Sequence, residues 1–164
     1  MLEITKVPTP TLRAPSKELT LDELKDPKMQ QFIDDMIPSM YAAEGVGLAA
    51  PQVATNIRIC VIAKMGVEAD KKCGLPEEDL VLVNPIWEKV EKKKKWFPEG
   101  CLSVPGVFGK TFRYKHVRVE ALDRHGNKLE FEARNFFAQI VQHECDHLQG
   151  TLFVDKEDAV KLDV

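Results

Sequence analysis

The sequence has no apolar run approaching the roughly 20 residues of a membrane span. Its start, Met1-Leu2-Glu3-Ile4-Thr5, also lacks the basic-then-apolar order of a secretory signal. An intracellular, cytoplasmic protein is therefore expected. Cysteine is scarce: Cys60, Cys73, Cys101 and Cys145 are the four, and no two form a Cys-x-x-Cys pair. In a reducing compartment that favours free thiols over a disulfide framework. Basic charge is not in excess either, since 23 Lys and Arg stand against 26 Asp and Glu, a net charge of −3. This balance argues against a general nucleic-acid or membrane-surface binder. No internal repeat or low-complexity tract interrupts the chain. The rest is ordinary for a globular protein, 44% hydrophobic and 30% charged over 164 residues. That length suits a single domain, residues 1–164, with a real core.

Pro8, Pro10 and Pro15 make the first twenty residues an extended or irregular arm. The spacing of Phe32, Ile33, Met36, Ile37 and Met40 predicts a helix over about 26–43, with Pro27 in its first turn and a kink at Pro38. Strand-like runs cover 57–63, 80–83 and 86–96, with a charged, exposed loop over 65–79. Further strands are expected over 117–122 and 128–131, joined as a hairpin through His125-Gly126-Asn127. A last helix spans 135–149 and stops at Gly150. Strands first and this helix last indicate an α+β fold, with mixed or antiparallel β-sheets packed around a buried C-terminal helix.

That helix carries His143-Glu144-Cys145-Asp146-His147, an HExxH pattern. Positions i and i+4 lie nearly above one another on a helix, so two neutral imidazoles there can bind one divalent metal. Glu144 is then placed to handle the proton of a water. Phe136, Ile140, His143 and His147 share one stripe, and Phe137, Val141, Glu144 and Leu148 the next. Asn135, Gln139, Gln142, Asp146 and Gln149 occupy the opposite side. The histidines thus continue an apolar face into the interior, where low dielectric strengthens a metal's pull. Cys145 is roughly 200° from His143 around the helix and cannot share the metal face. Two core histidines satisfied by hydrogen bonds are the competing, non-catalytic reading.

Catalytic zinc-type sites use three protein ligands and leave one position open. One protease class takes a third histidine three residues after the glycine of HExxHxxG, but Phe153 stands there. Another takes a glutamate well downstream, and the last glutamate, Glu157, is too close. The third ligand must come from upstream. Cys101, in Glu99-Gly100-Cys101-Leu102-Ser103, is the strongest candidate, because a thiolate binds divalent transition metals readily and is deprotonated by them.

Three segments now fall in order: Gly45-Val46-Gly47-Leu48-Ala49-Ala50-Pro51-Gln52, Glu99 to Ser103, and Gln142 to Gly150. Together they resemble peptide deformylase over nearly the whole chain. The resemblance implies removal of the formyl group from formyl-methionyl nascent peptides. It implies Cys101, His143 and His147 as ligands of one Fe²⁺ per chain, with Ni²⁺, Co²⁺ or Zn²⁺ as substitutes, and Glu144 as general acid/base. Gln52 and the Leu102 N–H would stabilise the oxyanion, and Gly47 would bind the substrate backbone. Val46, Phe136 and Ile140 are candidates for an apolar methionine pocket.

Many relatives dock on the ribosome through a long basic C-terminal helix, as the resemblance has it. The tail from Val154 to Val164 is short and acidic, so transient ribosome contact is not expected by that route. The run Lys92-Lys93-Lys94-Lys95 is expected to be a solvated strand or hairpin edge, with contact to ribosomal RNA as the sharper alternative. No specific nucleic acid and no membrane partner are expected. Two other functions compete: an HExxH metallo-endopeptidase, which would cut internal peptide bonds, and a silent metal-binding module, which would lack Glu144 and Gln52.

Overall fold

Ile59-Cys60-Val61-Ile62 is apolar at every position, and a strand built from such a run must be covered on both faces. In the computed structural model, which describes residues 1–156 and 158–162, that is what surrounds it. Helices α1 (Leu21–Lys25) and α2 (Pro27–Ala42) precede strands β1 (Gly47–Ala49) and β2 (Ile59–Ile62). Helix α3 (Lys64–Glu68) and strands β3 (Leu80–Lys89), β4 (Lys94–Cys101), β5 (Val104–Tyr114), β6 (His116–Leu122) and β7 (Lys128–Arg134) follow. Helix α4 (Asn135–Leu148) and strand β8 (Val160–Leu162) complete the order.

The strands form a five-stranded sheet, β1-β2-β3-β6-β7, and a three-stranded sheet, β4-β5-β8. All ladders among the described residues are antiparallel. On one face of the larger sheet, Cys60, Ile62, Leu82 and Val119 pack against Phe137, Val141, Cys145 and Leu148 of α4. On the other, Ile59, Val61 and Val83 pack against Ile33, Met36 and Met40 of α2. Fully burying each such side chain contributes about 1.5–3 kcal/mol. Asp26 caps α2 by accepting from the Lys28 N–H at 2.8 Å, and the helix continues through Pro38, so the expected kink does not interrupt it. Among the described residues no helix is long and apolar enough to cross a membrane.

The structure corrects several sequence readings. The expected break near residue 84 is a bulge, because Asn84 takes a positive φ of 51° and exchanges hydrogen bonds with both backbone groups of Leu19 at 2.9 Å. The expected strand over 86–96 is divided between β3 and β4 by a turn. The longest strand, β5, was not anticipated; it contains Pro105, Gly106 and Gly109, which weaken a strand pattern. The supposedly exposed loop over 65–79 begins as α3 and buries Val67 and Asp70, whose carboxylate accepts from the Arg134 N–H at 2.9 Å.

Helix α4 is also buried more completely than its pattern suggests, with Gln139 and Gln142 both inside. The Gln142 amide donates to the Tyr114 carbonyl at 2.8 Å and accepts from the Tyr114 N–H at 3.1 Å. The Gln139 amide donates to the Pro98 carbonyl at 2.7 Å. On the helix side opposite the larger sheet, Gln139 and Gln142 thus meet strand backbone, while Asn135 and Gln149 remain exposed.

Candidate functional site

Helix α4 brings His143 and His147 to one point, with their Nε2 atoms 3.3 Å apart. Strand β4 brings the thiol. Its pairing with β5 shifts register between Gly100 and Cys101, and Cys101 Sγ lies 3.3 Å from His147 Nε2. All three donor atoms fall within 4.8 Å of one another. Bonds of about 2.0–2.3 Å in tetrahedral geometry would separate such ligands by roughly 3.3–3.7 Å. The donor set therefore fits one divalent transition-metal ion. A further feature agrees with it: Glu144 Oε2 is buried with no hydrogen-bond partner among the described residues, so it is free to meet a water.

Behind the ligands lies a charged chain that the sequence reading did not assign. His143 Nδ1 is 2.7 Å from Glu99 Oε1, which leaves Nε2 for a metal. Arg113 forks onto Glu99 through Nε and Nη2, each at 2.7 Å, and its Nη1 donates to Asp146 at 3.0 Å. Thr111 Oγ1 also donates to Glu99. Burial opposes charge on Glu99, but Arg113 and then His143 outweigh it and hold its carboxyl well below the usual range. Carboxylate–histidine pairing is the one signal that could have pointed here, since a ligating imidazole commonly needs such a partner. Spacing alone does not say that Glu99, two residues before the thiol, supplies it.

The two imidazoles differ. Burial lowers His147 well below the ordinary histidine value, and the His143 charge adds to this, so His147 is a neutral donor. For His143 burial again opposes charge, but hydrogen bonding to Cys101 and Glu99 raises it to about 10, so a cation must displace its proton. Glu144 is raised to about 7 by burial, against the lowering effect of His143. That places it where one carboxyl can both take and give a proton near neutrality.

Gln52 closes another side. Its Oε1 accepts from the Ala49 N–H at 2.9 Å, which turns Nε2 towards Cys101 Sγ at 3.6 Å and Ser103 Oγ at 3.2 Å. The N-terminal arm braces this corner, with Thr5 N–H donating to the Gln52 carbonyl and Val7 N–H to the Ser103 carbonyl. A cavity of about 420 Å³ opens in front, lined by Val46, Gly47, Gln52, Leu102, Phe136, Ile140 and Glu144 among others. Every residue expected to bind substrate or stabilise charge thus borders the same space as Cys101 and His143. His147 is fully enclosed behind them. Cys145 faces the other way, into the core with Cys60.

Gly47 has a steric role the sequence did not reveal. A Cβ built there would lie 2.6 Å from Glu144 Oε1 and 2.9 Å from its Cδ. Gly47→Ala should therefore displace the Glu144 carboxylate and lower kcat at least tenfold with little change in metal content. An unchanged kcat would show that the carboxylate has room to move aside.

Comparison with known proteins points one way. A family model described as Polypeptide deformylase matches residues 1–162. Peptide deformylase of Pseudomonas aeruginosa is 42% identical over 163 residues, spanning 99% of this chain and 90% of that protein. Peptide deformylase of Cellvibrio japonicus is 42% identical over 155 residues, spanning 94% of this chain and 85% of that one. Among solved structures, a Met-Ala-Ser-bound class I type b peptide deformylase from Acinetobacter baumannii superposes with a TM-score of 0.83 at 32% identity, covering 94% of this chain and 97% of that one.

Proposed function

This chain belongs to the polypeptide deformylase family, and from that premise we propose how its residues divide the work. The reaction is metal-dependent hydrolysis of the N-terminal formyl amide of formyl-methionyl peptides, releasing formate. We read Cys101, His143 and His147 as the ligands of one ion, Fe²⁺ in the cell, with Ni²⁺, Co²⁺ or Zn²⁺ able to replace it. A thiolate with two imidazoles suits all four. Bound there, the ion supplies Lewis acidity to the formyl oxygen and acidifies a water.

The chain's own groups carry the rest. Glu144 Oε2 takes a proton from the attacking water, whose oxygen bonds to the formyl carbon. As the carbonyl oxygen gains charge, the Gln52 side-chain amide and the Leu102 N–H donate to it, each contributing about 2.7–4 kcal/mol. Glu144 then delivers its proton to the amine nitrogen as the carbon–nitrogen bond breaks. Strand β1 is an outer strand of its sheet, so Gly47 and its neighbours can pair with an extended peptide. Val46, Phe136 and Ile140 hold the methionine side chain. That the Acinetobacter peptide deformylase was solved bound to Met-Ala-Ser supports a peptide ligand for this chain. Residues 1–164 act as one catalytic domain, in the cytoplasm, on chains leaving the ribosome.

One observation carries this reading: Cys101 and His143, clustered with the enclosed His147, meet Gln52 and Glu144 at one cavity. Formate release from formyl-Met-Ala-Ser under anaerobic conditions, with parallel metal analysis, tests it. Cleavage of internal bonds in an unformylated peptide would instead favour the endopeptidase, which none of the named relatives is. Cys101→Ala should reduce metal content from one ion per chain towards none on dilution, measured by elemental analysis. Full retention would count against thiolate ligation.

A further inference from the structure

The β4–β5 hairpin carries different chemistry on its two faces. Glu99, Thr111 and Arg113 point inward to the buried charged chain. On the outer face, cross-strand register sets Lys94 against Tyr114, Trp96 against Phe112 and Pro98 against Lys110. The Trp96 and Phe112 rings lie 5.0 Å apart between centroids, and Trp96 is 46% exposed. Lys94 Nζ sits 4.7 Å from the Tyr114 ring centroid, and Lys89 Nζ lies 5.5 Å from it.

Glu91 aside, the exposed charge around this platform is positive and unpaired among the described residues. Lys92 and Lys93 are exposed in the turn that leads into β4, and Lys110 is exposed on the outer face of β5. Among the described residues, the lysines that pair with carboxylates are Lys17, Lys64, Lys71 and Lys156. None belongs to this cluster. By contrast, Arg118 on the larger sheet is surrounded by Glu88, Glu120 and Glu130. A chain of net charge −3 therefore concentrates unpaired positive charge beside its exposed aromatic rings.

We propose that the outer face of β4–β5, with the turn before it, docks single-stranded RNA. Lys92, Lys93 and Lys110 supply phosphate contacts, and the Trp96–Phe112 pair supplies a surface on which a base stacks. An acidic peptide would use the lysines but would have no use for the rings. The same face runs along β4 to Gly100, which register sets against Phe108, and both residues border the catalytic cavity. From Lys94 to Cys101 the strand spans roughly 23 Å, so docked RNA would lie beside the cavity mouth without entering it. The inference rests on the reading that this enzyme works on nascent chains, which emerge from an RNA-built machine.

The test uses the metal-loaded protein and a fluorescein-labelled oligouridylate of ~12 nucleotides, read by polarisation from about 50 to 200 mM salt. Binding is expected, with a slope of log affinity against log salt near −2, as three neutralised phosphates require (about 0.7 each). The triple variant Lys92→Glu, Lys93→Glu, Lys110→Glu should lose binding, and Trp96→Ala should weaken it roughly tenfold. Both variants should release formate from formyl-Met-Ala-Ser at the wild-type kcat/KM, which also shows that they fold. No binding at low salt, or binding undiminished in the triple variant, would overturn the proposal and leave deformylation untouched. So would labelled polyglutamate bound as tightly as the RNA with no effect of Trp96→Ala, an outcome that assigns the face to an acidic protein.

Discussion

Replacing Glu144 by alanine should leave the metal bound and cut formate release by about 10²- to 10⁴-fold. The carboxylate is not one of the three converging donors, so its loss removes no ligand. It is buried beside them, one oxygen without a hydrogen-bond partner, and its pKa is raised to about 7 by desolvation. Among the described residues no other carboxylate borders the reacting space with comparable freedom: Glu99 is fully engaged by Arg113 and His143, and Glu44 is an exposed residue at the cavity edge. Steady-state kcat on formyl-Met-Ala-Ser, with metal stoichiometry on the same sample, checks this. Turnover near wild type would remove Glu144 from its assigned role.

The second large effect is expected at Glu99, which no sequence motif had singled out as a working residue. Glu99→Ala leaves the Arg113 guanidinium, only 2% exposed, with Asp146 as its remaining acidic partner. Removing one member of a buried pair costs about 3–5 kcal/mol, a large part of the 5–15 kcal/mol that holds a typical domain together. It also frees His143 Nδ1, so metal affinity should fall about 10- to 100-fold. Thermal unfolding and competitive chelation would measure the two effects separately. Loss of affinity without loss of stability would mean that Arg113 finds compensation elsewhere.

Acid adds a check with a definite sign. The folded pKa of Glu99 is depressed, so its contribution to stability is complete above the unfolded value of about 4.3. That contribution is lost as pH falls from there through the folded value. Glu99→Gln should therefore flatten the decline in stability below about pH 4.3 while lowering stability at neutral pH. A wild-type-like acid limb in the variant would place the titrating group elsewhere.

Much of the site was legible because its parts follow short-range rules. The i, i+4 spacing fixed how His143 and His147 share a helix face, and no tertiary contact was needed to see it. Cys101 was reached by asking for a missing ligand, and the resemblance to a known family then supplied Gln52 and Leu102. What stayed hidden depended on contacts across long sequence separations. Glu99 and Arg113 meet only because β4 and β5 pair. Strand β5 itself contains Pro105, Gly106 and Gly109, which weaken a strand pattern. The steric demand at Gly47 appears only when β1 and α4 are in contact, since its nearest neighbour is Glu144. Gln139 and Gln142 misled in the opposite direction, because an amide that satisfies strand backbone looks in a one-dimensional pattern like one facing water.

X-ray absorption on the zinc- or nickel-loaded enzyme probes the coordination sphere most directly. One sulfur scatterer near 2.3 Å and two imidazole nitrogens near 2.0–2.1 Å are expected, with the sulfur signal gone in Cys101→Ala. A spectrum of nitrogen and oxygen neighbours alone in the wild-type protein would contradict the account.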